Sequence, residues 1–138
     1  MNAFFEIYNQ LHKDNLELLR DVYSKDVVFV DPAHEIQGIE ELITYFSALY
    51  SNVDSISFDF TDHLLVEDSG YVRWKMTFSH KRLNRGLPVM VDGVTYLQFD
   101  SAKMVDYHRD YFDLGAMLYE QIPVLGKVIR TIKKGLGT

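Results

Sequence analysis

From Asp54 onward the sequence stops repeating at helical spacing and begins to alternate, and this change of period is the strongest constraint on its fold. Ser55 to Glu67 places Ile56, Phe58 and Phe60 at every second position. Tyr71 to His80 and Pro88 to Asp100 are rich in β-formers, and Lys103 to Asp113 is the last stretch of this kind. Between them lie turn-like pieces: Glu67-Asp68-Ser69-Gly70, the basic loop Lys81 to Gly86, and Asp100-Ser101-Ala102. Connections this short join antiparallel neighbours, so a meander of strands is predicted.

The first third of the chain reads differently. Phe4, Phe5, Ile7, Tyr8 and Leu11 recur at helical spacing, which predicts a first amphipathic helix. Asp14 or Asn15 then offers a cap for a second helix carrying Leu16, Leu18, Leu19, Val22 and Tyr23. Asp26 to Asp31 is β-branched and aromatic and stops at Pro32, which has no amide proton for a ladder. After the loop Pro32 to Gly38, Leu42, Ile43, Phe46, Leu49 and Tyr50 form one stripe of a helix over Ile39 to Val53. Helices followed by a meander predict an α+β fold, with the N-terminal helices laid on the concave face of a curved antiparallel sheet. Beyond Asp113 a helical tail is expected, with Val124, Leu125, Val128, Ile129 and Ile132 opposed by Lys127, Arg130, Lys133 and Lys134.

At 138 residues the chain is expected to be one domain over 1–138, with 114–138 a C-terminal helical extension. A net charge of -6 argues against tracking a phosphate backbone, so no nucleic-acid partner is expected. The absence of cysteine excludes disulfides and thiolate metal sites and fits a reducing compartment. The N-terminus has no basic leader or apolar run of a secretion signal, and no segment reaches transmembrane length, so a cytoplasmic location is the default. The aromatic share of 14% is enough both to fill a core and to line a cavity.

Lys103 to Asp113 is the segment on which a site would centre. As a strand it puts Met104, Asp106, His108, Asp110 and Phe112 on one side and Val105, Tyr107, Arg109, Tyr111 and Asp113 on the other. Acids and a histidine thus share a face with Met104 and Phe112. That mixture suits either the wall of a polar-floored pocket or an edge strand with one wet face.

Three pieces in this order resemble the nuclear transport factor 2-like superfamily, in its SnoaL-like and ketosteroid-isomerase-like branch. They are VVFVDP at Val27 to Pro32 followed by Gly38 and a helix, VTYLQFD at Val94 to Asp100, and HRDYFDL at His108 to Leu114. The resemblance implies a cone-shaped pocket between a bent sheet and the helices, and a homodimer through the outer face of the sheet. It places Asp31 where ketosteroid isomerases keep their proton-moving carboxylate. Asp110 is similar to the water-activating aspartate of limonene epoxide hydrolases, and His108 is implied on the same wall. The departures also matter. At the two oxyanion-hole positions of the isomerases this chain has Ile7, with Tyr8 beside it facing elsewhere, and Thr95. The strand that would complete an epoxide hydrolase set offers Arg73 but then Lys75. The superfamily hosts several reactions and non-enzymatic binders, so the resemblance does not select among them.

Asp31, Asp110 and His108 are the candidate catalytic residues. Asp31 reads either as a base in an apolar mouth or as a turn aspartate before Pro32. His108 and Asp110 read either as an acid/base pair or as a structural hydrogen bond. Candidate substrate contacts are Trp74, Met76 and Phe78 from one strand, Thr95 and Leu97 from the next, Phe112 from the last, and His34 over the mouth. The apolar row of Trp74, Met76 and Phe78 is expected inside, because burying Arg73, Lys75, Thr77 and Ser79 together would be costly. No Gly-rich phosphate loop, HExxH or GxSxG occurs, so no cofactor and no metal are called for; a site from His34, His108 and Asp110 is only a remote option. The expected ligand is a small apolar, oxygen-bearing molecule, handled either by a cofactor-free isomerase, lyase or hydrolase or by a non-catalytic pocket. The basic tail is expected to cover the sheet or the pocket mouth, with contact to an anionic membrane surface as the lesser alternative.

Overall fold

The computed structural model describes residues 1–117 and 123–136. Helix α1 (Asn2–Gln10) leads into a 3-10 turn (Leu16–Asp21), strand β1 (Tyr23–Val30), a short strand β2 (Glu35–Gln37) and helix α2 (Ile39–Ser51). Four long strands follow: β3 (Ser55–Val66), β4 (Ser69–Ser79), β5 (Val89–Phe99) and β6 (Val105–Phe112). Helices α3 (Leu114–Met117) and α4 (Pro123–Leu136) come last.

The sheet order is β2-β1-β6-β5-β4-β3. The meander β3 to β6 is antiparallel as its short turns require, whereas β1 runs parallel to β6. That pairing is open to β1 because α2 and four strands separate it from β6, enough chain to re-enter the sheet in either direction. Pairing is irregular between Tyr23 and Val28, between Phe60 and Asp62, and between Gln98 and Phe99. Such bulges bend and twist a sheet locally, and here they accompany a curved, open sheet. The α+β architecture with helices on the curved sheet is as expected, with one parallel pair making the sheet mixed.

Three local expectations need correction. The segment Leu16 to Tyr23 is not an α-helix. Asn15 accepts from the His12 amide at 2.7 Å and donates to the Gln10 carbonyl at 2.7 Å, so its side chain is spent on the preceding turn and caps nothing after it. Only six residues coil, and Tyr23 already pairs with Val105 as sheet. The loop after Pro32 contains β2, whose Ile36 pairs with Phe29 of β1. The alternation predicted for Lys103 to Asp113 also fails at its start, where Val105 is 1% exposed and thus points inward. The bulge at Gln98/Phe99 shifts the phase there, so Asp106 does not join His108. Its Oδ1 is buried without a hydrogen bond.

In α2, Ile39, Leu42, Phe46 and Tyr50 are buried along one stripe, and Glu40 and Glu41 sit in the first turn, where the helix dipole favours acids. Leu19, Leu42, Val27 and Leu97 are fully enclosed in the larger core, between α1, α2 and the β1/β6 side of the sheet. A smaller cluster of Trp74, Met76, Phe78, Leu83, Val89 and Val91 fills the other end. Ile56, Phe58 and Phe60 of β3 touch both clusters. Truncating the centre of the larger core, Leu42→Ala, is expected to lower stability by about 2–5 kcal/mol in a denaturant titration.

The outer face carries an aromatic ladder: Tyr71, Tyr96 and Tyr107 lie on three successive strands, with ring centroids 5.0 and 6.1 Å apart. In the tail, Lys133 Nζ is 2.5 Å from Asp113 Oδ2, tying α4 to the end of β6. Ile132, the one residue of the predicted stripe whose side chain is described, is 57% exposed; Val124, Leu125, Val128 and Ile129 lie outside the described side chains. Among the described residues no helix is long and apolar enough to cross a membrane.

Candidate functional site

Between the two cores, under α1 and α2, lies a cavity of about 310 Å³. That is near the lower end of small-molecule sites, enough for a compact ligand. Strand alternation builds most of its wall. Phe58 and Phe60 of β3, Trp74, Met76 and Phe78 of β4, and Phe112 of β6 all line it, while Arg73 between them is exposed. Asp31 and Asp110 line this same cavity although 79 residues separate them along the chain.

Asp31 follows directly on β1 and is the acceptor of a tight turn. Its Oδ1 takes the amides of Ala33 at 2.9 Å and His34 at 2.7 Å, and its Oδ2 takes the hydroxyl of Tyr45 from α2. Both oxygens are therefore occupied, and the side chain is 7% exposed. His34 sits beside this group at the mouth, with its side chain 53% exposed and Nδ1 3.3 Å from Asp31 Oδ1. Burial, then the contact with Asp31, pushes the Tyr45 hydroxyl far above the ordinary tyrosine range. Tyr45 thus keeps its proton and donates it to Asp31.

Asp110 is held quite differently. Trp74 Nε1 is 2.8 Å from Thr95 Oγ1, and Thr95 Oγ1 is 2.5 Å from Asp110 Oδ1. An indole N–H can only donate, so Thr95 accepts from Trp74 and passes its own proton to the carboxylate. His108 Nε2 is 2.7 Å from the same Oδ1, its Nδ1 is 2.8 Å from the Tyr23 hydroxyl, and Tyr23 is 2.5 Å from the Tyr8 hydroxyl. A carboxylate only accepts, so Nε2 carries the proton; in the neutral imidazole Nδ1 then accepts from Tyr23, and Tyr23 accepts from Tyr8. Two chains of donors, from α1 and from β4, converge on one oxygen. Asp110 Oδ2 has no hydrogen bond to any described residue, and the side chain is 18% exposed.

Local sequence explains how these groups meet. Thr95 faces Asp110 across β5 and β6, and Trp74 faces Gly93 across β4 and β5. A side chain at Gly93 would put its Cβ 2.3 Å from the Trp74 ring, so only glycine lets the indole lie flat across β5 and reach Thr95. Gly93→Val is expected to cost about 1–3 kcal/mol by overpacking and to shift the emission of Trp74, the single tryptophan.

The tyrosines make a further test. Burial raises the hydroxyls of Tyr8 and Tyr23 well above the ordinary value, with the charge of Asp110 adding to it. In the unfolded chain they ionise near pH 10, while the native state keeps its protons. Their contribution is complete below that pH. Above it the unfolded state binds fewer protons, and stability should fall by about 1.4 kcal/mol per pH unit for each tyrosine, about 2.7 for the pair. Urea midpoints measured from pH 8 to 11 check this, and a flat profile above pH 10 would contradict it.

Of the predicted contacts, Trp74, Met76, Phe78, Thr95, Phe112 and His34 line the cavity. Leu97 does not: it is 0% exposed and packs into the larger core beyond the cavity floor. Tyr8, and not Ile7, lines the cavity from α1, one residue from the position that resemblance implied. Its hydroxyl is committed to Tyr23, and Thr95 is committed to Asp110. His34 stays at the mouth with Asp31, so the three-residue metal option does not assemble, and among the described residues no group of three metal-binding side chains does. Tyr45 and Tyr23 are the polar groups that the sequence reading missed. Tyr45 has only its place in the α2 stripe region as a signal, and Tyr23 continues the helical pattern of Leu16, Leu19 and Val22.

The SnoaL-like domain model matches residues 2–107. The chain belongs to the SnoaL-like family. The match ends one residue before His108, so the His108/Asp110 pair lies outside it. No curated protein matches the sequence. Among solved structures, this SnoaL-like protein is similar to one from Jannaschia sp. CCS1 named as a SnoaL-like polyketide cyclase, with 16% identity, 89% of this chain and 90% of that one covered, and a TM-score of 0.76. It is similar to a protein of ketosteroid isomerase-like fold from Catenulispora acidiphila, in complex with trimethylamine, with 16% identity, 87% and 88% coverage, and a TM-score of 0.74. It is also similar to TerC co-crystallised with polyporic acid, with 14% identity, 84% and 92% coverage, and a TM-score of 0.72. At these identities the likeness establishes the nuclear transport factor 2-like cone fold that the SnoaL-like protein adopts.

Proposed function

We propose that this SnoaL-like protein is a cofactor-free acid/base enzyme that moves a proton on a small apolar, oxygen-bearing molecule, as an isomerase, lyase or hydrolase. Asp110 is its base. The observation that carries this reading is the asymmetry of that carboxylate: Oδ1 is anchored by Thr95 and His108, and Oδ2 is left for a ligand. A base needs a fixed lone pair within reach of a substrate proton, and such anchoring supplies it. His108 has both nitrogens engaged and acts as a positioning residue. Asp31 has both oxygens engaged, so it shapes the mouth and orients Tyr45. The aromatic walls grip the apolar body of the substrate. Small ligands in two structural neighbours support a binding cavity of this kind. The enzyme is proposed to work in the cytoplasm as one domain, paired with a second copy through the tyrosine ladder on the outer face.

A panel of small cyclic ketones, enones and epoxides, followed by NMR in D2O for exchange, isomerisation or hydration, tests the reading. Wild type should turn over one class and Asp110→Asn should not, whereas Asp31→Asn should chiefly lower the melting temperature. Binding of panel members without turnover of any class would favour the second reading, a non-catalytic ligand pocket. That reading draws on the commitment of Tyr8, Tyr23 and Thr95 to the internal chain, which leaves no free hydroxyl among them to stabilise a developing oxyanion.

A further inference from the structure

The cavity has a charge imbalance that the acid/base reading does not use. Asp31 and Asp110 both line it, and among the described residues no Lys or Arg side chain does. The saturated carboxylate of Asp31 is compensated by its turn amides and Tyr45. Asp110 has two hydrogen bonds on one oxygen and, among the described residues, none on the other, and the donors, Thr95 and His108, are 3% and 2% exposed. With no Lys or Arg beside it, this carboxylate facing an apolar hollow has only part of its desolvation cost met by the two hydrogen bonds on Oδ1. A neutral ligand that fills the hollow increases that cost by expelling water. An anion increases it further. A ligand that donates a hydrogen bond to Oδ2 offsets part of it, and one that also brings positive charge offsets more.

The walls favour the same sign. Eleven of the 25 lining residues are Phe, Tyr or Trp. Near Asp110, Trp74 stands between Phe58 and Phe112, with centroids 5.7 and 6.0 Å away and ring planes at 80° and 60°. Neither phenylalanine stacks on the indole; both meet it at a steep angle. The π-face of an aromatic ring is negative and attracts a cation, most strongly when water is excluded. The net charge of -6 adds a long-range pull on a cation and none on an anion.

From these observations we infer that the cavity is a site for a small hydrophobic cation, a tertiary or quaternary ammonium group on an apolar body, held between the Trp74, Phe58 and Phe112 rings with its charge toward Asp110 Oδ2. This names the ligand class of the same cavity. It rests on the cavity's charge and rings and holds whether or not the ligand is turned over.

Trp74 is the single tryptophan and lies in the wall, so its fluorescence reports occupancy directly. The probes are benzyltrimethylammonium and its neutral carbon isostere, neopentylbenzene, which differ in charge at nearly constant shape. The cation should bind about tenfold tighter or more, a preference that weakens with added salt. Asp110→Asn should cut the preference to the smaller part that the rings supply, while leaving the isostere bound. Equal affinities in wild type, or a cation preference undiminished by Asp110→Asn, would overturn the inference. The wild-type comparison needs no variant, so it decides even if Asp110→Asn folds poorly. Turnover of a neutral substrate together with equal probe affinities would sink this inference and leave the acid/base reading standing; the cation preference without turnover would do the reverse.

Discussion

Asp110→Asn should lower turnover of whichever substrate class the protein accepts by about 10²–10⁴-fold, the usual contribution of a positioned base. The amide keeps the size of the side chain and an acceptor toward Thr95 and His108, so the fold should persist. What is lost is the basic lone pair at the unpaired oxygen. The paired measurement is a urea titration: a midpoint within a few tenths molar of wild type, alongside collapsed turnover, separates a chemical role from a structural one. Asp31→Asn should behave in the opposite sense. There the amide oxygen has to stay with the backbone amides, and the amide nitrogen left facing Tyr45 can only donate, so the Tyr45 hydroxyl loses its acceptor and has to turn from donor to acceptor. A loss of about 1–3 kcal/mol is expected, with turnover reduced only as far as the mouth is disturbed.

The second large effect concerns His108. His108→Ala removes a 2% exposed ring that bonds Tyr23 on one side and Asp110 on the other and lies 4.4 Å from the Phe29 ring centroid. Two buried polar groups lose their partner and a cavity opens beside Phe29, so the expected loss is about 3–5 kcal/mol, read from the denaturation midpoint. Tyr23→Phe keeps the ring and removes one hydroxyl, so about 1–3 kcal/mol is expected. A spectroscopic readout separates positioning from packing. Nitrogen-15 NMR of the wild type should find His108 protonated on Nε2 and bare on Nδ1, the tautomer that the two donor chains impose. A proton on Nδ1 in place of Nε2 would reverse the chain and remove the argument for Asp110 Oδ2.

Much of this architecture was legible because it depends on short-range repetition. The alternation of Ile56, Phe58 and Phe60, and of Trp74, Met76 and Phe78, named the inward rows of β3 and β4 without any knowledge of their partners. The stripe of Leu42, Phe46 and Tyr50 did the same for α2. Failures came where a distant strand overrode a local preference. Val22 and Tyr23 continue a helical pattern, yet the hydrogen bond from the Val105 amide to the Val22 carbonyl, 2.8 Å long, belongs to the sheet. Asp106 was put on the face of His108 by counting in twos, and a bulge against β5 broke the count. Leu97 shares its strand face with Thr95, but only the placement of the cores decided that one meets the cavity and the other does not.

The sequence by itself determined the first helix, the Ile39 helix, the four-strand meander and the acidic balance, because each is written in spacing or composition, and three motifs in order carried the resemblance to a fold family. Tertiary structure alone decided which aspartate is free. Asp31 and Asp110 look alike in one dimension, two acids beside aromatic residues. One is saturated by its own turn and by Tyr45, and the other is anchored at one oxygen through partners as remote as Tyr23, 85 residues from His108. Hydrogen-bond saturation depends on groups that only folding brings together, and no periodicity records it.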